Sequence, residues 1–243
     1  MIRKWSVLFV VLGFVLTACK NDDDVNELPQ EEQNQVDDDA ILEYLEDHYF
    51  SADRGVIKKY DEDDETDDEY PSLKSLGTKL NSGVWVIKRP GVTAEGPVAD
   101  NNEEDSILIS YSAQVFKASY QDLEEGEAPY GSITAIESTI NGSGTPKWDP
   151  YFYYVNLTEN LIENDINLSH YVIEGFTEGI KQFNSTGTNG ADLYNFQGAI
   201  VVPSRLAYGR DFDYLQGQLG YTYRDFSFIF NFELHQVIPR NND

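Results

Sequence analysis

The chain has 243 residues, with 17 lysines and arginines against 43 acidic residues and a formal net charge of −26. That length suits one domain of roughly 100 to 200 residues plus a tail. So acidic a surface repels phosphate backbones and anionic headgroups, which excludes nucleic acid as a partner, and the single cysteine, Cys19, excludes an internal disulfide.

In chain order, Met1-Ile2-Arg3-Lys4 is a basic start, residues 5–16 are an apolar run, and Leu16-Thr17-Ala18-Cys19 brings small residues to a cleavage site. The run falls short of the ~20 apolar residues that cross a bilayer as a helix, so residues 1–18 read as a signal peptide. Leu-Thr-Ala-Cys resembles the lipobox of bacterial lipoproteins, which implies lipidation of Cys19 and an anchor in the cell envelope. Residues 19–38, mostly Asp, Glu, Asn and Gln, read as a disordered acidic tether, because they offer too little apolar area to order themselves. Asp22-Asp23-Asp24 resembles a signal that sends some Gram-negative lipoproteins to the outer face of the cell; plain linker is the alternative.

Residues 39–82 read as a helix and an acidic linker. Ile41, Leu45, His48 and Tyr49 fall at helical spacing within residues 39–50, and acids precede them. Residues 61–69 are rich in oxygen ligands. They lack the glycine at the sixth place and the acid at the twelfth of an EF-hand loop, so they read as a flexible loop and no metal is assigned.

After Gly83 the pattern turns to strands. Residues 84–89 are rich in β-formers and close with Pro90-Gly91; Ile107, Ile109 and Tyr111 alternate with Leu108, Ser110 and Ser112, which predicts a half-buried strand. Phe176, Ile180 and Phe183 line one side of a short helix, residues 199–203 are a continuous apolar strand, and Phe226, Phe228, Phe230, Phe232 and Leu234 take every second position. Strands with a single helix predict an α+β domain.

Three fragments in order, Tyr171-Val172-Ile173-Glu174-Gly175-Phe176, Val202-Pro203-Ser204-Arg205-Leu206-Ala207-Tyr208-Gly209 and Phe228-Ile229-Phe230-Asn231-Phe232-Glu233-Leu234, resemble the FKBP family of peptidyl-prolyl cis-trans isomerases. Ser82-Gly83-Val84-Trp85, following a helix that ends in Tyr49-Phe50, is similar to the corresponding region of exported bacterial FKBP lipoproteins. The resemblance implies, over residues 83–239, an FKBP-like antiparallel half-barrel wrapped round one short helix, with an aromatic pocket for proline between helix and sheet. It implies that Phe176 forms the pocket floor, Phe230 and Tyr111 its aromatic walls, and Val172 and Ile173 its aliphatic wall, with the Ile173 N–H and the Tyr208 hydroxyl holding a ligand carbonyl. Gly144-Thr145-Pro146-Lys147-Trp148-Asp149 matches the family's Gly-Thr-x-Phe-Asp, which implies that Trp148 and Asp149 lie at the rim.

Such chemistry uses no metal, cofactor, nucleophile or general base. The implied partners are proline-containing segments of exported proteins, met from a lipid anchor in the outer membrane facing the periplasm or the cell surface. Two departures stand out: an insertion across residues 117–147, and a loop over residues 210–224 carrying Tyr214, Tyr221 and Tyr223 where the family closes with Ile-Pro-Pro. They leave open a non-catalytic FKBP-fold binding or chaperone lipoprotein, or a component of a surface or gliding machine.

Overall fold

A computed structural model describes residues 27–121, 123, 128–140, 144–190, 193–215 and 217–240; the expected signal peptide, Cys19 and the first part of the expected tether lie outside these. Helix α1 spans Gln30–Asp47. It therefore begins inside the segment expected to be a disordered tether, and ends before Phe50. The reason is tertiary: Gln33 and Asp37 share the buried face with Val36, Ala40, Ile41, Tyr44 and Leu45. Gln33 Nε2 donates to Asp37 Oδ1 (2.9 Å) and to the Ala118 carbonyl (3.2 Å). Asp37 Oδ2 accepts from the Ser204 N–H (3.2 Å) and from the Ser204 hydroxyl. Buried polar groups with partners are tolerated where orphaned ones are not.

After α1, strands β1 (His48–Phe50) and β2 (Ile57–Lys59) form a hairpin. Residues 61–69 follow as turns held by their own carboxylates, with Asp67 Oδ2 accepting from the Asp61 N–H (2.9 Å) and Asp64 Oδ1 from the Thr66 N–H (3.0 Å). Among the described residues no cluster of His, Cys, Asp and Glu is arranged to hold a metal. The remaining elements are α2 (Leu73–Leu76), β3 (Gly77–Lys79), β4 (Trp85–Lys88), β5 (Asp105–Lys117), β6 (Thr134–Ser138), β7 (Lys147–Trp148), α3 (Glu159–Glu163), α4 (Glu174–Ile180), β8 (Gly198–Val202) and β9 (Phe226–Pro239). Residues 117–147 thus contain strand β6 and the first residue of β7.

Strands β3 to β9 build a seven-stranded antiparallel sheet in the order β3-β4-β8-β9-β5-β6, with β7 also paired to β5. The fold is α+β, an antiparallel sheet curled over a short helix. On one face Phe228, Phe230 and Phe232 of β9, Ile200 and Val202 of β8 and Ile107, Ile109 and Tyr111 of β5 pack against Phe176 and Ile180 of α4. The helix sits close because Gly175 and Gly179 face the sheet: a Cβ at Gly179 would stand 2.7 Å from Ile200 Cγ2.

The other face is covered too, which the alternation of β5 and β9 did not predict. Ile41, Tyr44 and Leu45 of α1 pack on Trp85, Ile87, Val201, Phe116 and Ile229. Further along β9, the polar residues Asn231, Glu233 and His235 are also buried. Each has partners: Asn231 Nδ2 donates to the Gly198 carbonyl (3.0 Å), Glu233 Oε2 accepts from the Asn195 N–H (2.6 Å), and His235 Nε2 pairs with Ser110 Oγ (2.8 Å).

Candidate functional site

The fold brings Tyr111, Phe176, Phe230, Ile173 and Tyr208 into one buried region under the sheet. Strand periodicity points Tyr111 and Phe230 inward from neighbouring strands (Tyr111 pairs with Phe232, Ala113 with Phe230), and α4 lifts Phe176 up to them. The rings of Phe176 and Phe230 are 4.7 Å apart.

A residue that sequence reasoning did not single out lies at the centre. The Phe152 ring is 4.7 Å from Phe176, 4.7 Å from Phe230 and 5.0 Å from Tyr111, and Phe152 is fully buried. Its backbone carbonyl accepts the Ile173 N–H at 2.9 Å. The donor expected to hold a ligand carbonyl therefore holds the chain's own. Phe152 occupies the space among these three rings.

Phe152 is held there by a braced turn. The Tyr153 and Tyr154 N–H groups donate to the Pro150 carbonyl (2.8 and 3.1 Å). Just before it, Asp149 adopts φ 43°, a left-handed conformation doubly unfavourable for a non-glycine residue that precedes proline. Strain of this kind persists only where surroundings over-determine it. Asp149 Oδ1 accepts from the Ile107 N–H (3.0 Å), and Oδ2 from the Ser106 hydroxyl (2.7 Å) and Arg240 Nη1 (2.6 Å). Arg240 also lies 3.4 Å above the Tyr154 ring. Asp149 is thus an anchor of the turn. Trp148, expected beside it at the rim, is 45% exposed on β7, where it pairs with Leu108.

Tyr208 is also spoken for. Its hydroxyl donates to the Tyr171 carbonyl at 2.6 Å, while its ring packs on Phe228. Burial pushes its pKa up, so it stays a neutral donor. It braces the segment that presents Ile173. Val172 is half-buried and its N–H donates to the Leu168 carbonyl (2.8 Å). The Tyr111 hydroxyl is buried and, like Glu137 Oε2, forms no well-shaped hydrogen bond; burial first, then the nearby Glu137 carboxylate, pushes its pKa up.

The loop over residues 210–224 is pinned at Asp213, whose N–H and C=O exchange hydrogen bonds with Gly220 (2.8 and 2.9 Å) and whose Oδ2 accepts from the Tyr223 N–H (3.1 Å). Tyr223 and Leu215 pack against the core, and Tyr214 packs on Tyr171. Tyr214 and Tyr223 of this loop therefore stand beside Tyr171 and Tyr208. One signal for Phe152 stood in the sequence: four consecutive aromatics, Tyr151-Phe152-Tyr153-Tyr154, directly after Asp-Pro in a long connection. So much aromatic surface in a loop has to be buried somewhere.

The sequence matches no known family profile and no curated protein. Among solved structures, it is similar to FkpA from Escherichia coli (18% identity over 68% of this chain, TM-score 0.36), of which the chain spans only about half, 52%. It is also similar to a peptidyl-prolyl cis-trans isomerase from Pseudomonas syringae pv. tomato, with 14% identity, 87% of this chain and 98% of that one covered, and a TM-score of 0.39. A third, AtFKBP13, shares 19% identity over 66% of this chain and 97% of its own, with a TM-score of 0.33.

Proposed function

We propose that this chain is a peptidyl-prolyl cis-trans isomerase of FKBP type, anchored through Cys19 in the bacterial envelope, whose proline pocket is closed in its resting state by its own Phe152. The observation that carries this reading is the way Phe152 is held. Its ring lies in the aromatic box of Phe176, Phe230 and Tyr111, and its carbonyl accepts the N–H at the head of α4, as a residue of a bound peptide would. The clients would be proline-containing segments of exported proteins.

The chemistry asks little of side chains. Rotation about an X-Pro bond is slow because resonance stiffens the C–N bond, with a barrier of about 18–20 kcal/mol. The twisted amide has lost that resonance and is less polar than the planar one, so a dry aromatic site lowers the barrier by disfavouring the planar state. With the turn displaced, Phe176, Phe230 and Tyr111 would exclude water and the Ile173 N–H would hold the client carbonyl. Tyr208 would keep residues 171–173 in place as a positioning residue.

A second reading, a binding module without turnover, is favoured by the bracing of the turn through Asp149 and Arg240. In that case extended segments would lie along Tyr171, Tyr214 and Tyr223. The test is exchange spectroscopy on an X-Pro tetrapeptide with catalytic amounts of the protein. Exchange above the uncatalysed rate that falls in Phe230→Ala supports the isomerase; tetrapeptide binding with no added exchange supports the module.

A further inference from the structure

The loop over residues 211–224 carries an exposed apolar edge: Phe212 is 42%, Leu219 39% and Tyr221 49% exposed. Phe212 and Tyr221 stack at 4.3 Å, and the Asp213–Gly220 pairing holds the loop in shape. The same loop contacts the start of the described chain. Arg224 lies 5.2 Å over the Tyr221 ring and grips Glu27 with two hydrogen bonds, 2.6 and 2.8 Å. Arg210 donates to the Leu28 carbonyl at 2.7 Å.

The stretch from Cys19 to Glu27 can span at most about 30 Å. A lipid on Cys19 would thus hold this end of the domain within that distance of the bilayer surface. We infer that Phe212, Leu219 and Tyr221 seat in the interfacial layer of a zwitterionic lipid membrane, fixing the domain with its 211–224 loop toward the bilayer. This rests on the reading that Cys19 is lipidated. Tyrosine and other amphipathic or apolar side chains favour that layer, where a ring can lie in the acyl boundary with its polar tip in the headgroups. Arg224 is paired with Glu27 and Arg210 with Asp225, which leaves the exposed Asp211 as the charge beside Phe212. The net charge of −26 argues against attraction to anionic headgroups.

The test uses the full lipoprotein, processed in a bacterial host, with Leu219→Cys or, as control, Lys58→Cys. Lys58 pairs with Tyr49 beyond the far end of α1, a helix of 18 residues and so about 27 Å long. An acylated Cys19 offers no free thiol, so the new cysteine alone takes an environment-sensitive fluorophore. In phosphatidylcholine and phosphatidylethanolamine vesicles containing headgroup-region spin-labelled lipid, the label at 219 should shift to the blue and be quenched, and the label at 58 should do neither. Acylated Cys19 by mass spectrometry with equal behaviour at both labels overturns the docking alone; unacylated Cys19 overturns the anchor and the docking together. Protection of the 219 label from iodide without quenching by the lipid would mean that protein, a second copy included, covers the edge, and overturns it as well.

Discussion

Replacing Phe152 by alanine is the sharpest perturbation of the site. The ring is fully buried and touches three other aromatic rings at 4.7–5.0 Å, so its removal leaves a cavity that braced neighbours cannot close. The expected cost is about 3–5 kcal/mol. Because domains are stable by only about 5–15 kcal/mol, the variant should fold with a clearly lowered Tm. The backbone carbonyl survives, and without the ring to seat the turn a peptide carbonyl can displace it from the Ile173 N–H. A pyrrolidine ring is smaller than the phenyl it replaces, and an acyl-proline peptide should enter the vacated space. At a hundred times its Kd such a ligand restores about 2.7 kcal/mol, a large part of the loss. Thermal unfolding of Phe152→Ala with and without acyl-proline peptide, beside the wild type, measures this. A folded variant with the expected loss of stability and no stabilisation by the peptide would refute the view that Phe152 stands in a proline site.

Three further perturbations follow from the same geometry. Arg240→Ala leaves Asp149 short of a partner and should cost about 3 kcal/mol, with hydrogen exchange at the Tyr153 and Tyr154 amides rising more than at β9 amides; equal rises would show that the turn is not locally braced. Gly179→Ala drives a methyl against Ile200 and should lower stability by about 1–3 kcal/mol in a denaturant titration, whereas a gain would contradict the close approach of α4. His48, stacked on Tyr44 and bonded to its carbonyl (2.7 Å), has its pKa lowered by burial to about 4. The unfolded chain takes up that proton near pH 6.5 and the folded one does not. Stability is therefore lost as pH falls through this window, by up to about 3 kcal/mol. Burial raises the pKa of Asp37, which tilts the profile the other way, so the comparison is between slopes: His48→Gln should be flatter than the wild type between pH 6.5 and 4.

What was legible in the sequence is what periodicity or local chemistry controls. The alternating aromatics of β9 face α4, and Phe176 and Ile180 lie on the helix side that meets them, because a two-residue and a 3.6-residue repeat each define a face. What depends on distant partners was not legible. The start of α1 looked like tether because two of its buried positions are Gln33 and Asp37; they are acceptable only because Ala118 and Ser204, far along the chain, supply hydrogen bonds. Tyr111, Phe230 and Phe176 could be placed by pattern, but nothing in their spacing shows that a fourth ring fills the space between them. Trp148 and Asp149 carry a motif-like pair, yet Arg240 and the start of β5 determine where Asp149 points.

The measurement closest to the central claim is the cis-to-trans exchange rate of an X-Pro tetrapeptide in the presence of the wild type and of Phe152→Ala. With a site closed by its own residue, the apparent affinity for peptide is reduced by the fraction of molecules that are open. Exchange should exceed the uncatalysed rate with the wild type and rise further with Phe152→Ala. Exchange at the uncatalysed rate with both folded proteins would contradict the account.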